Sequence, residues 1–455
     1  MRITESQLAE ALSGWRTPGI PLIAALASAV REGVLDGRLR TGGALPAERR
    51  LAAVLGISRG TVIAALTVLR DEGWVHTRQG SASTLRLAPV AAERLAPRSA
   101  TGEIGVIDLR RAVPAAPHAA YQAAMTRAIG RSGVLLAQEG IPGPGLPELR
   151  ALIAQRYTED GLATRPEQVL VTSGARSALA LLCAHLRPRA AAVEVPTYFE
   201  ALGLLRGAST RLSGFRVTSE GWDTDQIAAA FHAARGGLAY LTPDFQNPTG
   251  ALMESATRRT VADLAARHRL TLVVDETVRD LDLREEPVPA PRIEGALLIG
   301  STSKTVWGGL RVGWIRGPSA VIAELCRDPL SGPLSAAPVQ QLVAVELLSD
   351  GDELLRQRRA DLRRRRDHLS GLLMGDNRWR FTIPDGGLAL WLRLTTDRAD
   401  ELAARARADG LEITPGSRFA ADTTLTQYLR LPFTPPTAVL DRVADILGRA
   451  ARQST

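Results

Sequence analysis

Five apolar runs of strand length, at 168–172, 191–194, 238–241, 270–275 and 295–300, are separated by stretches that read as helices, among them 177–186 and 256–268. Parallel strands need a crossover between them, and a helical crossover covers the sheet. Alternation of this kind therefore predicts an α/β fold, a mostly parallel sheet with helices on both faces. The last 130 residues mix long helices with short strands such as 388–394 and read as a smaller α+β domain. Residues 1–87 read differently, as short helices and a hairpin. Residues 88–106 are rich in Ala, Pro, Ser and Gly without an apolar period, the composition of a linker. The expected organisation is thus 1–87, a linker at 88–106, and 107–455.

Composition narrows the function classes. No run of about 18 apolar residues exists, so no transmembrane helix is expected. Met1 to Glu10 is polar and has no signal-peptide core. Cys183 and Cys326 sit among apolar residues and read as buried thiols of a reducing cytoplasm. The six histidines form no i, i+4 pair, so no metal is expected. The net charge is +8, and residues 1–87, with 11 Arg against 7 Asp and Glu, hold +4 of it. Half the excess in a fifth of the chain points toward nucleic acid.

The segment from Leu45 to Val62 carries the corresponding local signals. Pro46 and Glu48 suit the first turn of a helix. Leu51, Ala52 and Leu55 share one face, and Gly56 permits a tight turn. Ser58 can N-cap a second helix that buries Val62, Leu66 and Leu69 and stops near Gly73. Two short helices joined in this way form a helix-turn-helix, whose second helix enters the major groove by its N-terminal end, where Arg59 and Thr61 lie. Trp74 to Thr77, the polar tip Arg78-Gln79-Gly80-Ser81 and Ala82 to Arg86 read as a hairpin wing that reaches the DNA backbone or minor groove.

One residue singles out the chemistry of the remainder. The chain has a single lysine, Lys304, among 56 basic residues. A lysine amine can lose its proton and attack a carbonyl to form a Schiff base, whereas a guanidinium cannot. Ser301, Ser303 and Arg311 beside it offer hydroxyl and guanidinium donors for a phosphate. Ser173-Gly174-Ala175-Arg176, between a strand and a helix, is an anion site of the helix-N-terminus kind. Tyr198 offers an aromatic face on which a ring can stack. Asn247, in Asn247-Pro248-Thr249-Gly250, can hydrogen-bond a phenolic oxygen. Asp275, at a strand end, can pair with a pyridinium nitrogen and keep it protonated. Together these residues fit pyridoxal 5'-phosphate.

In this order the segments resemble class I aminotransferases of fold type I over about residues 107–455. The resemblance implies a seven-stranded type of mostly parallel sheet. Gly145-Leu146-Pro147-Glu148-Leu149-Arg150 belongs to the same pattern. Arg430, in Tyr428-Leu429-Arg430-Leu431, matches the family position that grips the substrate carboxylate. Many relatives place a tyrosine shortly after the strand aspartate, where this chain has Thr277 and Val278. Another tyrosine, common before Gly145, is replaced by the run Gln138 to Pro144. Residues 21–86 resemble the winged helix of GntR-type bacterial regulators. That likeness implies contacts to double-stranded DNA from Arg49, Ser58, Arg59, Thr61, Arg78 and Gly80, although a basic residue frequent near Ile63 is absent.

The combination resembles the MocR-type bacterial regulators, transcription factors that use an aminotransferase fold as a ligand sensor. It implies a cytoplasmic homodimer, an amine or amino-acid effector, and DNA as partner. The alternative reading is an active aminotransferase with a secondary DNA-binding region. The arginine-rich stretches 356–359 and 363–366 read as a solvated helix face paired with Glu353, Asp361 and Asp367 rather than as a second DNA contact.

Overall fold

The computed structural model describes the chain apart from residues 1–2, 17–18, 36–37, 78–81, 87, 89–104, 138–139, 141–142, 396–397, 423 and 453–455. Four helices open it: Glu5–Ala11, Leu22–Leu35, Glu48–Leu55 and Arg59–Asp71. Gly56, in the left-handed region at φ 62°, stops the third. Ser58 Oγ accepts from Thr61 N at 3.0 Å and starts the fourth. The chain bends by 112° between these two helices. Leu26, Val30, Leu51, Leu55, Val62, Leu66 and Leu69 pack with Trp74 and Leu85 into one core. A short antiparallel hairpin follows, with Val75 opposite Leu85 and His76 opposite Thr84. Its expected tip, Arg78 to Ser81, lies outside the described residues, as do residues 89–104 of the expected linker.

The large sheet has eight strands among the described residues, in the order Val169–Thr172, Gly313–Arg316, Leu297–Ser301, Thr271–Asp275, Leu238–Leu241, Ala190–Val195, Arg211–Thr218 and Gly221–Trp222. From Leu297–Ser301 to Arg211–Thr218 every pairing is parallel. Gly313–Arg316 lies antiparallel to both its neighbours. The two-residue return Gly221–Trp222 is the eighth strand, beyond the seven expected. All five strands expected from the sequence form, with ends shifted by no more than two residues. Arg211–Thr218 went unforeseen because it sits near the sheet's edge and carries polar residues on its open side. Leu179, Leu182, Leu202 and Ile322 cover one face, and Leu149, Ile153, Leu264 and Leu342 the other.

The C-terminal portion pairs Trp379–Arg380, Ala389–Leu394, Tyr428–Pro432 and Thr414–Pro415 antiparallel. It packs them with the helices Gly351–Leu373, Ala399–Ala408 and Thr437–Arg452. The short strand Ile107–Asp108 joins Leu411–Glu412 in parallel, so the start of the large unit is tied to the far end of the chain.

Helix Gly351–Leu373 corrects the reading of a solvated basic face. Arg356, Arg364 and Arg366 do pair with Glu353, Asp361 and Asp367. Arg358 and Arg365, however, are buried. Arg358, Arg359, Arg363, Arg365 and Arg366 all donate to main-chain carbonyls of other segments. A guanidinium has five donors in a rigid fork, so one arginine can satisfy several loop carbonyls at once. The helix is a seam that arginines stitch to its surroundings.

Candidate functional site

The site forms where five strands of the large sheet end, the usual place for a ligand in an open α/β sheet. Val169–Thr172 leads to Gly174, Ala190–Val195 to Tyr198, and Leu238–Leu241 to Asn247. Thr271–Asp275 ends on Asp275, and Leu297–Ser301 leads to Ser303 and Lys304. Strand direction thus brings together residues that are up to 130 positions apart.

Lys304 sits on the π-helical turn Ser303–Trp307. Its Nζ donates to the carbonyl of Ala112 at 2.8 Å. Burial pushes this ammonium from the usual 10.5 down to about 8; Arg430 and Arg111 act in the same direction, while Asp275 and Glu200 oppose them. About a tenth of such an amine is neutral at pH 7, far more than for an ordinary lysine. A neutral amine carries the lone pair that nucleophilic chemistry needs.

Asp275 is buried and both its oxygens are engaged. Oδ2 accepts from the Tyr240 hydroxyl at 2.7 Å, and Oδ1 from the Thr277 backbone at 2.9 Å. Tyr240 was not foreseen, because a tyrosine inside an apolar strand reads as core. The residues that stand where relatives carry a tyrosine do other work: Thr277 caps Asp275, and Val278 is buried in the C-terminal core.

Behind this layer lies Glu194, fully buried. It accepts from Trp222 Nε1 at 2.9 Å, Thr242 N at 3.0 Å and Gln246 Nε2 at 3.2 Å. Burial pushes its carboxyl up to about 7 despite these donors. Gln246 also donates to Pro196 O at 2.6 Å and accepts from Thr249. It thereby joins the loop bearing Asn247 to the loop bearing Tyr198. The signal for Glu194 was present in the sequence: a lone charge within the run from Ala190 to Val195.

The turn expected to receive an anion lies at the start of helix Ala175–Leu186. Gly174 has φ 123°, a conformation that L side chains rarely adopt. A Cβ on it would lie 3.5 Å from Arg311 Nη1. A Cβ on Gly313 would meet the Gly174 backbone at 2.7 Å, so glycine is required at both positions for this approach. Ser301 Oγ donates to Val312 O at 3.1 Å and shares a hydrogen bond with Ser303 Oγ at 2.9 Å. Arg176 is mostly exposed, with Nε 3.6 Å from Glu200, which also accepts from the Tyr198 hydroxyl.

Arg430 is 3% exposed. Nη1 donates to Asn247 Oδ1 at 3.2 Å, Nη2 to Arg110 O at 2.5 Å, and the guanidinium lies 4.8 Å from the centre of the Phe419 ring. Nε has no partner, and no carboxylate of the described residues forms an ion pair with it. Burial lowers its pKa from 12.5 to about 10. A buried cation with an unmatched donor is costly unless a hydrogen-bonding anion meets it.

In the winged-helix region Arg49 is exposed. Arg59 is held by Glu48, with Nη2 3.0 Å from Oε2. Thr61 Oγ1 shares a hydrogen bond with Ser58 Oγ at 2.8 Å. Arg78 and Gly80 lie outside the described residues.

The family model for aminotransferases of class I and II matches residues 117–447, and that for bacterial regulatory proteins of the gntR family matches residues 22–85. The chain belongs to the class I and II aminotransferase family and carries a GntR-type DNA-binding region ahead of that domain. Together these give it the build of the MocR-type transcriptional regulators. It is 28% identical to the HTH-type transcriptional regulator YisV of Bacillus subtilis, over 84% of this chain and 86% of that one. It is 27% identical to the probable rhizopine catabolism regulatory protein MocR of Rhizobium meliloti, over 89% and 88%. Among solved structures it resembles the α-aminoadipate aminotransferase LysN of Thermus thermophilus, complexed with N-(5'-phosphopyridoxyl)-L-leucine. That match has a TM-score of 0.70 and 26% identity, and covers 77% of this chain and 92% of that one. No single described helix is long and apolar enough to cross a membrane.

Proposed function

We propose that this protein is a cytoplasmic, homodimeric transcription factor that holds pyridoxal 5'-phosphate at Lys304 and responds to an amine or amino-acid effector. In this reading 1–87 binds DNA, 88–106 links, and 107–455 senses. One observation carries it. Arg430 and Lys304 both donate to carbonyls of a single segment, at Arg110 and Ala112. That segment runs straight into helix His118–Arg131, where Ala119 N donates to Glu32 Oε1 at 2.6 Å. Glu32 belongs to helix Leu22–Leu35 of the winged-helix region. The groups that take ligand and the DNA-binding region thus share a continuous piece of chain.

The residues fit the cofactor. Gly174, Ala175, Arg176, Ser301, Ser303 and Arg311 would hold its phosphate, Tyr198 would lie on its ring, Asn247 would meet the ring oxygen, and Asp275 the ring nitrogen. Bound there, the group would supply a carbonyl carbon for amines and an electron-withdrawing ring. Tyr240 and Thr277 fix the orientation of Asp275. Lys304, with its lowered pKa, can release or hold a proton at Nζ. Arg430 would receive an effector carboxylate in its fork. A carboxylate on Arg430, or chemistry at Nζ, competes with the carbonyls of Arg110 and Ala112 for the same donors. The effector works only so far as it binds the two arrangements with different affinity. Two winged helices in a dimer would meet two DNA half-sites, from Arg49, Ser58, Arg59, Thr61, Arg78 and Gly80.

The test is fluorescence anisotropy on the DNA upstream of the protein's own gene, at fixed salt because phosphate contacts make affinity salt-dependent. Selective binding that shifts with pyridoxal phosphate, and again with added amino acids, supports the regulator. Absence of selective binding in every state overturns it.

A second reading, an active aminotransferase, is favoured by the complete set of Lys304, Asp275, Asn247 and Arg430. Steady release of a keto acid from an amino acid would support it. A single half-reaction that stalls would support the sensor.

A further inference from the structure

We infer that Arg358 is a positioning residue for Lys304, tying the turn that carries the lysine to the segment that covers it. Arg358 stands on helix Gly351–Leu373 and is 7% exposed. Nε donates to Thr305 O at 3.1 Å and Nη2 to Val306 O at 2.8 Å. These are the two carbonyls that follow Lys304 in the π-helical turn. Nη2 also donates to Ala115 O at 2.7 Å. Ala115 lies three residues beyond Ala112, whose carbonyl accepts from Lys304 Nζ. A single planar fork therefore fixes both ends of the Lys304–Ala112 contact, the turn below and the segment above.

The two pieces touch directly. A Cβ on Gly308, just after the turn, would meet Val113 Cγ1 at 2.9 Å. A π-helical turn has spare carbonyls, because its bonds reach one residue further than in an α-helix, and such turns cluster at functional sites. Arg358 satisfies two of them from outside. Without it the turn and the covering segment lose their common anchor, and Nζ, on a half-buried side chain, becomes more exposed to water. The charged groups acting on Lys304 are Arg430 and Arg111, which disfavour its protonation, and Asp275 and Glu200, which favour it. None of them is on the helix of Arg358, so Arg358→Lys, which keeps the charge, separates greater exposure of the half-buried amine from loss of the Arg358 charge itself. The importance of holding this amine rests on the proposed role of Lys304.

Lys304 is the sole lysine of the wild type, and the lysine introduced by Arg358→Lys lies in a different peptide, so the test is direct. Trace labelling with acetic anhydride across about pH 6 to 11, read by mass spectrometry of the Lys304 peptide, reports the titration of one side chain in the full-length protein without cofactor. The wild type is expected to have its midpoint near 8. Arg358→Gln is expected to move the midpoint up by a unit or more, about tenfold less neutral amine at pH 7. Arg358→Lys keeps the charge but not the fork, and should fall between the two. A residue serving only the stability of the fold would lower the melting temperature and leave the midpoint in place. The proposal is overturned if either variant, folded by circular dichroism, keeps the wild-type midpoint, or if the wild type itself titrates near 10.5. Should Arg358→Gln not fold, Arg358→Lys decides. Absorbance after adding pyridoxal phosphate is recorded in parallel. A wild type with the expected midpoint and no cofactor band sinks the cofactor reading while leaving the role of Arg358 standing.

Discussion

The Tyr240 hydroxyl donates to Asp275 Oδ2 across two neighbouring parallel strands, at 2.7 Å and out of contact with water. Tyr240→Phe leaves that buried oxygen without its donor. The expected cost is about 1–3 kcal/mol of stability, measured by urea unfolding of wild type and variant. An unchanged midpoint and slope would mean that Asp275 does not depend on the phenol.

Lys304→Ala should abolish the visible absorbance that pyridoxal phosphate acquires on binding; a surviving band would show that another group holds it. The same residue predicts a pH effect without cofactor. Its folded pKa, about 8, lies below the ordinary 10.5. Between those values the unfolded chain binds more protons than the native one, so the Lys304 contribution to stability rises with pH across that window. The stability of wild type relative to Lys304→Met in thermal melts should rise from pH 8 to about 10.5. A flat difference would contradict the lowered pKa.

Glu194 runs the opposite way. Its folded pKa, about 7, lies above the ordinary 4.5. The native state then holds more protons between those values, and stability falls as pH rises through them. Glu194→Gln removes the titration, so the variant should show a shallower loss over this range, whatever its absolute stability. Parallel slopes in pH-dependent unfolding would show that the Glu194 pKa is not raised by folding.

Arg59 is paired with Glu48 on an exposed surface, a contact worth little in itself. Under the proposed function, Arg59→Ala should weaken DNA binding and reduce the slope of log affinity against log salt by about one. Glu48→Gln should free the guanidinium and strengthen binding slightly. Both are read by anisotropy at several salt concentrations, and an unchanged slope for Arg59→Ala would remove that residue from the interface.

Much of the sheet was legible because buried strands announce themselves as apolar runs, and the placement of Lys304, Asp275 and Asn247 because each lies at or just past a strand end. The covering segment was not legible. Its acceptors are the carbonyls of Arg110, Ala112 and Ala115, and a backbone carbonyl leaves no mark in a sequence. Arg358 was hidden for a related reason. In a run of arginines nothing distinguishes the one whose donors turn inward, and the acidic neighbours that do pair with Arg356 and Arg364 make the whole face look solvated. Tyr240 was hidden by company, a polar group inside a strand otherwise read as core, whereas Glu194, a lone charge in an apolar run, was legible as an anomaly but not as to its partners.

Arg430 has a wider consequence. Under the proposed function, Arg430 is one half of a buried ion pair whose other half, the effector carboxylate, comes from solution. A small carboxylate that occupies the place completes the interior and stabilises the native state by mass action. Under the proposed function, the concentration of that compound becomes, in effect, part of the protein's own thermodynamics.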